Sequence, residues 1–175
     1  LVVDAPDLGN DTTPTIIGST NLPSGATVTL TVTDANGGVQ RFPATVQAGG
    51  SFSAAVPAAL APGTYTVVAT ASDAAGNAAS ASDTGAIDLS APLLTVDAPA
   101  LTNDTTPTIT GTTDLPAGSA IGLTVTDALG AVQTFTAVVQ AGGTYSADVP
   151  AALPEGPYTV VATASDAAGN AASAS

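Results

Sequence analysis

The stretch Tyr65–Ser82 reads YTVVATASDAAGNAASAS, and the same letters return as Tyr158–Ser175. When residues 1–82 are placed over residues 94–175, the chain aligns with itself without a gap and 60 of the 82 pairs are identical. Self-similarity at a fixed spacing indicates a tandem repeat of one structural unit. We therefore expect two domains, at residues 1–88 and 89–175.

The repeated stretch itself predicts a β-hairpin. Its first half alternates, so that Tyr65, Val67, Ala69 and Ala71 lie on one face of a strand. The polar segment Ser72–Asn77 follows, and small residues then begin a return strand. A hairpin with one apolar face must pack against a second layer, which favours a sandwich.

The rest of the first repeat predicts further short strands separated by turns. The clearest is Thr27–Thr33, TVTLTVT, which places Val28, Leu30 and Val32 inward. About seven strands in about 90 residues are typical of an all-β, immunoglobulin-like Greek-key sandwich, here without a disulfide. A fibronectin-like variant fits the same pattern. The expected strands of the first repeat are 1–3, 14–19, 27–33, 39–46, 52–56, a sixth beginning at 65, and 78–87.

The second repeat stops at Ser175, the equivalent of Ser82, so we expect its last strand to be truncated.

A second local pattern precedes each copy of the hairpin. Leu60, Gly63 and Tyr65 stand in a Leu-x-x-Gly-x-Tyr layout, which Leu153, Gly156 and Tyr158 repeat. This layout predicts a tyrosine corner, in which the phenol bonds to a backbone group just upstream.

Composition excludes most enzyme chemistry. The chain has no Cys and no His, which removes thiol catalysis, thiolate and imidazole metal ligands, and the commonest general base. No pair of acids stands out as a catalytic pair, and we predict that the protein is not an enzyme. Fourteen acids against Arg41 alone give a net charge of −13. Such a charge argues against nucleic acid or an anionic membrane as a partner and favours a cation.

Three segments carry a family resemblance. They are NDTTPTIIG at 10–18, TASDAAGN at 70–77 and IDLSAP at 87–92. These segments resemble the bacterial Ig-like repeats of giant surface adhesins, the biofilm-associated and RTX-type proteins. The resemblance implies an extender role at the extracellular bacterial cell surface, in a monomer whose partners are neighbouring repeats of the same chain. It also implies calcium at the joints between repeats. No apolar run approaches the roughly 18 residues of a transmembrane helix, so we expect no insertion into a membrane.

The placement of the acids gives an independent reason to expect calcium. In a seven-strand sandwich the acidic loops of the first repeat and of the second fall toward the joint at 87–92. Two carboxylates 4 Å apart repel by about 4 kcal/mol at an effective dielectric of 20. Calcium neutralises such groups because it takes six to eight oxygen ligands. The candidate metal ligands are Asp88, Asp166, Asn170, Asp11, Asp34, Asp114, Asp73 and Asn77.

Two alternatives stay open at this point. Asp and Asn favour turns because their side chains bond to nearby backbone, so each of these residues also fits a turn without a metal. The chain also fits an adhesive module that recognises a glycan or a protein. Sugar binding usually needs an exposed aromatic platform, whereas the alternation predicts all six aromatic residues in the core: Phe42, Phe52, Tyr65, Phe135, Tyr145 and Tyr158.

Overall fold

The computed structural model describes all 175 residues, which form two compact units, Leu1–Leu89 and Ser90–Ser175. Thirteen strands and no helix make up the two units. In unit 1 the strands are β1 Val2–Asp4, β2 Thr15–Ser19, β3 Thr27–Thr33, β4 Val39–Thr45, β5 Ser51–Ala55, β6 Gly63–Ser72 and β7 Ala78–Ile87. In unit 2 they are β8 Thr108–Thr112, β9 Ala120–Thr126, β10 Val132–Val138, β11 Thr144–Asp148, β12 Thr159–Ser165 and β13 Ala171–Ala174.

Unit 1 is a sandwich of two antiparallel sheets. One sheet has the order β1-β2-β5 and the other the order β4-β3-β6-β7. The chain changes sheet after β2, after β4 and after β5, so neither sheet is a simple meander. The all-β sandwich is the fold that the alternating sequence predicts.

The core of unit 1 lies between the two sheets and is built from the inward positions of the strands. Val28, Leu30 and Val32 of β3 are fully buried, whereas the intervening threonines keep contact with solvent. Tyr65 and Val67 of β6 are buried beside them. The inward positions predicted from TVTLTVT and from the start of YTVVATAS are therefore confirmed.

Unit 2 repeats this arrangement with fewer paired residues. Strands β10-β9-β12-β13 form one sheet, and β11 pairs with β8 in the other. The equivalent of β1 is reduced to two isolated bridges, Leu94 to Thr113 and Asp97 to Thr110. The last strand, β13, has 4 residues, against 10 in β7.

The path of the chain through unit 1 is set by its first and last segments. Residues 2–9 and strand β7 run in the same direction, because Gly9 forms a parallel bridge with Ile87. Leu1 therefore lies at the end of the unit where β7 begins, which we name the leading end. Ile87 lies at the opposite, trailing end. The chain enters unit 1 at one end and leaves it at the other.

Candidate functional site

The two terminal segments of unit 1 are joined by three backbone hydrogen bonds. Ala86 N–H donates to the Asp7 carbonyl at 3.0 Å, and Gly9 N–H donates to the Ala86 carbonyl at 3.1 Å. Asp88 N–H completes the set by donating to the Gly9 carbonyl at 3.0 Å. We name this set the terminal clamp. Its strands are parallel, so a force that pulls the two ends of the unit apart loads all three bonds together, in shear.

A carboxylate extends the clamp toward the leading end. Oδ2 of Asp83 accepts a hydrogen bond from the backbone N–H of Ala5 at 2.8 Å. That bond lowers the pKa of Asp83, because a donor to the ionised carboxylate stabilises the charged form. Asp83 lies inside β7, which continues to Ile87 because its backbone pairs with β6 along its whole length.

Tyr65 anchors the first segment from within the core. Its phenol donates to the backbone carbonyl of Pro6 at 3.1 Å, and Tyr158 donates to Pro99 in the same way at 2.8 Å. The predicted tyrosine corner is therefore wrong in its acceptor, which is not a group just upstream. The reason is direction: Tyr65 points inward from β6, so its hydroxyl reaches across the core to the first segment of the unit.

The surroundings of Tyr65 keep its phenol protonated. Burial raises its pKa to about 12, and the negative charges of Asp83, Asp11 and Asp7 add to that effect. The neutral phenol is the form that donates a hydrogen bond. The bond to Pro6 therefore persists through the ordinary pH range.

Gly85 lets the tyrosine and the clamp come together. A Cβ built on Gly85 would lie 2.2 Å from the Pro6 carbonyl oxygen and 2.5 Å from the Tyr65 hydroxyl. No side chain fits in that space. A glycine inside a strand often marks such a close approach of backbone. Sequence reasoning missed the terminal clamp, and Gly85 within the predicted last strand was the available signal.

The carboxylate of Asp73 is engaged by its own hairpin loop. Oδ1 accepts from the N–H groups of Ala75 and Asn77, both at 2.9 Å, and Oδ2 accepts from the Asn77 amide at 2.8 Å. The side-chain bond from Asn77 is the main reason why the pKa of Asp73 is lowered. Asp166 and Asn170 repeat both the bonds and the lowered pKa.

Asp34 has a similar role in the preceding hairpin. Its Oδ1 accepts from Asn36 N–H at 3.0 Å and Gly38 N–H at 2.7 Å. Its Oδ2 lies 3.4 Å from the N–H of Ala61, which belongs to the crossing between β5 and β6. The backbone bond from Gly38 is the main reason why its pKa is lowered. One carboxylate therefore closes a turn and ties it to a neighbouring loop.

The remaining candidate ligands lie at three separate places. Asp11 accepts from the backbone and the hydroxyl of Thr13, and Asp114 accepts from Leu93 N–H at 2.9 Å, where the chain enters unit 2. Asp88 follows β7 and contributes its N–H to the clamp. Asp11 and Asp34 lie toward the trailing end of unit 1 by their place in the strand order. Asp114 and Asp166 lie toward the end of unit 2 where β13 begins.

The arrangement within each unit favours turn formation over metal binding. The structure brings together Asp73 with Asn77 and Asp166 with Asn170, and each pair closes its own hairpin. Inside either unit, no three acidic side chains lie close enough together to hold a metal ion. Each of these loops brings together one carboxylate and one side-chain amide, and their hydrogen bonds lie within the loop.

The aromatic residues lie at the predicted core positions. Phe42, Phe52, Tyr65 and Tyr145 are buried. Phe135 and Tyr158 are partly exposed but pack against the core of unit 2, as their phase in the strands predicts. Tyr158 is less covered than Tyr65. Strand β7 pairs with β6 at Tyr65, whereas β13 pairs with β12 only at residues 162–165.

Both units of the chain match one known protein family. A family model described as "Bacterial Ig-like domain" matches residues 3–89 and again residues 95–175. No curated protein gave a significant match. The structure has no helix with the length and apolar character needed to cross a membrane.

Solved structures of large bacterial adhesins are similar to the chain. One is described as a Ca2+-stabilized adhesin that helps an Antarctic bacterium reach out and bind ice; it is 27% identical with a TM-score of 0.52, over 98% of this chain and 46% of that chain. A tetra-tandem repeat in the extending region of a large adhesion protein is 35% identical with a TM-score of 0.47, over 98% and 46%. A 1.5-MDa bacterial ice-binding adhesin is 25% identical with a TM-score of 0.48, over 99% and 61%. The chain thus spans about half the length of these solved chains.

Proposed function

The chain belongs to the bacterial Ig-like domain family, and we propose that its two units are extender domains of a large bacterial surface adhesin, working as tension-bearing spacers without catalytic activity. The observation that carries this proposal is the terminal clamp of unit 1. It joins the first and last segments side by side in the same direction. The similarity to an adhesin that reaches out from a bacterium supports the same role.

The path of the chain suits a spacer. Because the chain enters unit 1 at the leading end and leaves at the trailing end, the unit adds its full length to the distance spanned. Strand β7 alone, with 10 residues, is about 33 Å long at about 3.3 Å per residue. A unit whose two ends lay on the same side would add far less. Repeating such units along one chain would hold a binding tip at a distance from the cell.

The clamp suits a spacer that is pulled. A force along the chain must break the bonds of Asp7, Gly9, Ala86 and Asp88 at once, before residues 1–9 separate from β7. Resistance to such a force is a matter of the rate of unfolding rather than of equilibrium stability. The buried bond from Tyr65 to Pro6 adds a second attachment for the same segment.

The rival function is an adhesive module that binds a glycan or a protein. Four of the six aromatic side chains are buried, which leaves few of the exposed aromatic surfaces that sugar binding usually needs. The test is a glycan and protein array probed with the labelled chain. A spacer gives no saturable binding. Saturable binding that unlabelled chain competes away would replace the spacer with the adhesive module.

We propose calcium as the cation that stiffens the linker around Asp88 at the cell surface. The support is the net charge of −13 with Arg41 as the only cation, together with the similar adhesin described as Ca2+-stabilized. The loop carboxylates of Asp34, Asp73 and Asp166 have local partners within their own units, so this proposal does not depend on them.

Small-angle X-ray scattering with and without millimolar calcium tests this part. The wild type, Asp88→Ala and the control Glu155→Ala are compared, since each variant removes one negative charge. We expect the maximum dimension of the wild type and of Glu155→Ala to respond to calcium, and that of Asp88→Ala to respond less. Identical profiles in all samples would mean that these aspartates serve only as turn formers.

A further inference from the structure

Strand β10 lies at an open edge of unit 2, with β9 on one side and no strand on the other. Hydrogen bonds from Asp127 N–H to the Ala131 carbonyl, at 3.0 Å, and from Val139 N–H to the Ser119 carbonyl, at 2.9 Å, mark the two ends of its pairing with β9. Bonded and non-bonded pairs alternate along an antiparallel ladder, so the odd-numbered residues of β10 bond to β9. The even-numbered residues turn their N–H and C=O groups to the open edge: Val132, Thr134, Thr136 and Val138.

The equivalent edge strand of unit 1, β4, has two features that oppose the addition of a strand. By the same alternation, Arg41 and Pro43 turn their backbone to its open edge. Pro43 has no N–H to donate, and Arg41 is the only basic residue of the chain. Proline and charged side chains are common means of keeping an edge strand unpaired. In β10 the same two places are held by Thr134 and Thr136, so neither feature is present.

Strand β10 is exposed and uncharged. Val132 is 59% exposed, Val138 is 50% exposed and Leu129, in the preceding turn, is 83% exposed. No acidic or basic residue occurs from Ala128 to Ala147, although the net charge of the chain is −13. Two copies that meet along β10 therefore place no acid opposite another acid in the paired strands. An uncharged edge rich in β-branched residues is a template for strand pairing.

The sequence of β10 matches itself when it is reversed. It reads VQTFTAV, with Phe135 at the centre, and only its second and sixth letters break the symmetry. When two copies of the strand lie antiparallel and centred on this residue, Val132 of one meets Val138 of the other, and Thr134 meets Thr136. Every backbone group on the open edge then has a partner, and the cross-strand side chains pair like with like. The sequence of β4, VQRFPAT, lacks this symmetry.

Gln133 holds the start of this edge strand in place from the inward side. Its Nε2 donates to the Ala151 carbonyl at 3.0 Å, and its Oε1 accepts from Ala151 N–H at 2.9 Å. Ala151 belongs to the crossing between β11 and β12. The strand is thus ordered before it meets a partner, which lowers the entropy cost of pairing.

We propose that β10 is a docking edge for a second copy of the same chain, whose own β10 pairs with it antiparallel about a twofold axis at Phe135. The two four-stranded sheets then form one continuous sheet. One pair of strands buries less than the about 1,200 Å² of a stable interface, so the association is weak and reversible. It departs from the monomer that the family resemblance implies. Pairing itself does not depend on the proposed function, but chains displayed side by side on a cell would favour it through their high local concentration.

Sedimentation equilibrium of the whole chain, from micromolar to millimolar concentration, tests the proposal. EDTA removes calcium bridges between copies, and high salt screens the repulsion between negative chains. Thr136→Pro copies Pro43, which β4 accommodates at the same place, and it removes an edge-facing N–H. Thr136→Ala is the matched control, because it changes the side chain but keeps that N–H.

We expect reversible dimers of the wild type and of Thr136→Ala. Association of Thr136→Pro should be at least about tenfold weaker, because the twofold axis removes two hydrogen bonds at once. Equal association of Thr136→Pro and wild type would overturn the proposal. A wild type that stays monomeric throughout would also overturn it, and would assign the edge to an unlike partner or to none.

The register of the pairing gives a second test, which does not depend on how a proline folds. The chain has no Cys, so Thr134→Cys and Thr136→Cys each introduce a single thiol. In the proposed pairing these two positions lie opposite each other, at a Cα separation of about 5.5 Å that a disulfide can span. We mix the two variants equally, with one of them isotope-labelled, and oxidise them. The mixed disulfide should exceed half of the cross-linked product, and a random share or less would overturn the proposed register.

Discussion

Tyr65 donates from its phenol to the backbone carbonyl of Pro6, which lies 59 residues earlier in the chain and 3.1 Å away. The same relationship holds between Tyr158 and Pro99 at 2.8 Å. In both units, then, a tyrosine in or directly before an inner strand of the four-stranded sheet, β6 or β12, fastens the first segment to the core. In unit 1 that segment is also half of the terminal clamp. The stability of the fold and its resistance to pulling therefore depend on the same few residues.

The substitution Tyr65→Phe should destabilise unit 1. It removes the donor and leaves the Pro6 carbonyl beside an apolar ring, a loss of about 1–2 kcal/mol in the free energy of unfolding. Tyr158→Phe should cost less, because Tyr158 is partly exposed and water can replace the lost donor. Urea unfolding followed by hydrogen exchange in each unit measures the two losses. A larger loss for Tyr158→Phe would contradict this account of the anchor.

The substitution Gly85→Ala should be more damaging than its size suggests. The added methyl group would lie 2.2 Å from a backbone oxygen, so the clamp or the tyrosine must move. Overpacking of this severity costs about 3 kcal/mol. Gly9→Ala is the matched control, because a Cβ there meets nothing closer than 4.0 Å. Thermal unfolding should separate the two variants, and similar melting temperatures would show that the close approach has no energetic consequence.

The hairpin aspartate Asp73 should make a pH-dependent contribution to stability. Its pKa is lowered from 3.8 in the folded chain by the bonds from Asn77, Ala75 and Gly76. A lowered folded pKa means a contribution that is fully present above the unfolded value and is lost as the pH falls through the folded value. The difference in unfolding free energy between wild type and Asp73→Asn should therefore shrink from pH 6 to pH 2.5.

Comparing the unfolding free energies of wild type and Asp73→Asn at each pH separates the contribution of Asp73 from that of the other acids. Protonation of the other acids relieves repulsion in a chain of net charge −13, but it does so in both proteins. Asn77→Ala should behave like Asp73→Asn, because it removes the side-chain bond that contributes most to the lowered pKa. A difference that stays constant across this pH range would assign Asp73 no ionic role in the hairpin.

Strand positions were predictable because they depend on local alternation. Val28, Leu30 and Val32 occupy every second place in TVTLTVT, and a strand with that pattern has only one apolar face to bury. The partner of Tyr65 was not predictable in this way. Its hydroxyl meets Pro6 only because the first segment passes from its pairing with β2 to its pairing with β7, which no local pattern encodes.

The aspartates show a second limit on what can be predicted from the sequence. Asp73 followed by Gly76 and Asn77 is compatible with a self-contained turn and with a calcium ligand, since both use the same oxygens. Within the loop, Asn77 and two backbone groups engage the carboxylate, as a self-contained turn requires. The role of Asp88 depends on the behaviour of the linker in the presence of calcium, which the scattering experiment measures.

Single-molecule pulling on the two ends of the chain tests the tension-bearing role most directly. The account predicts two unfolding events, with a higher rupture force for unit 1 because it has the terminal clamp. Gly9→Pro removes the N–H that bonds to Ala86 and should lower the higher force toward that of unit 2, whereas Gly9→Ala keeps the donor and should leave it unchanged. Equal forces for wild type and Gly9→Pro would contradict the claim that unit 1 resists tension through the clamp.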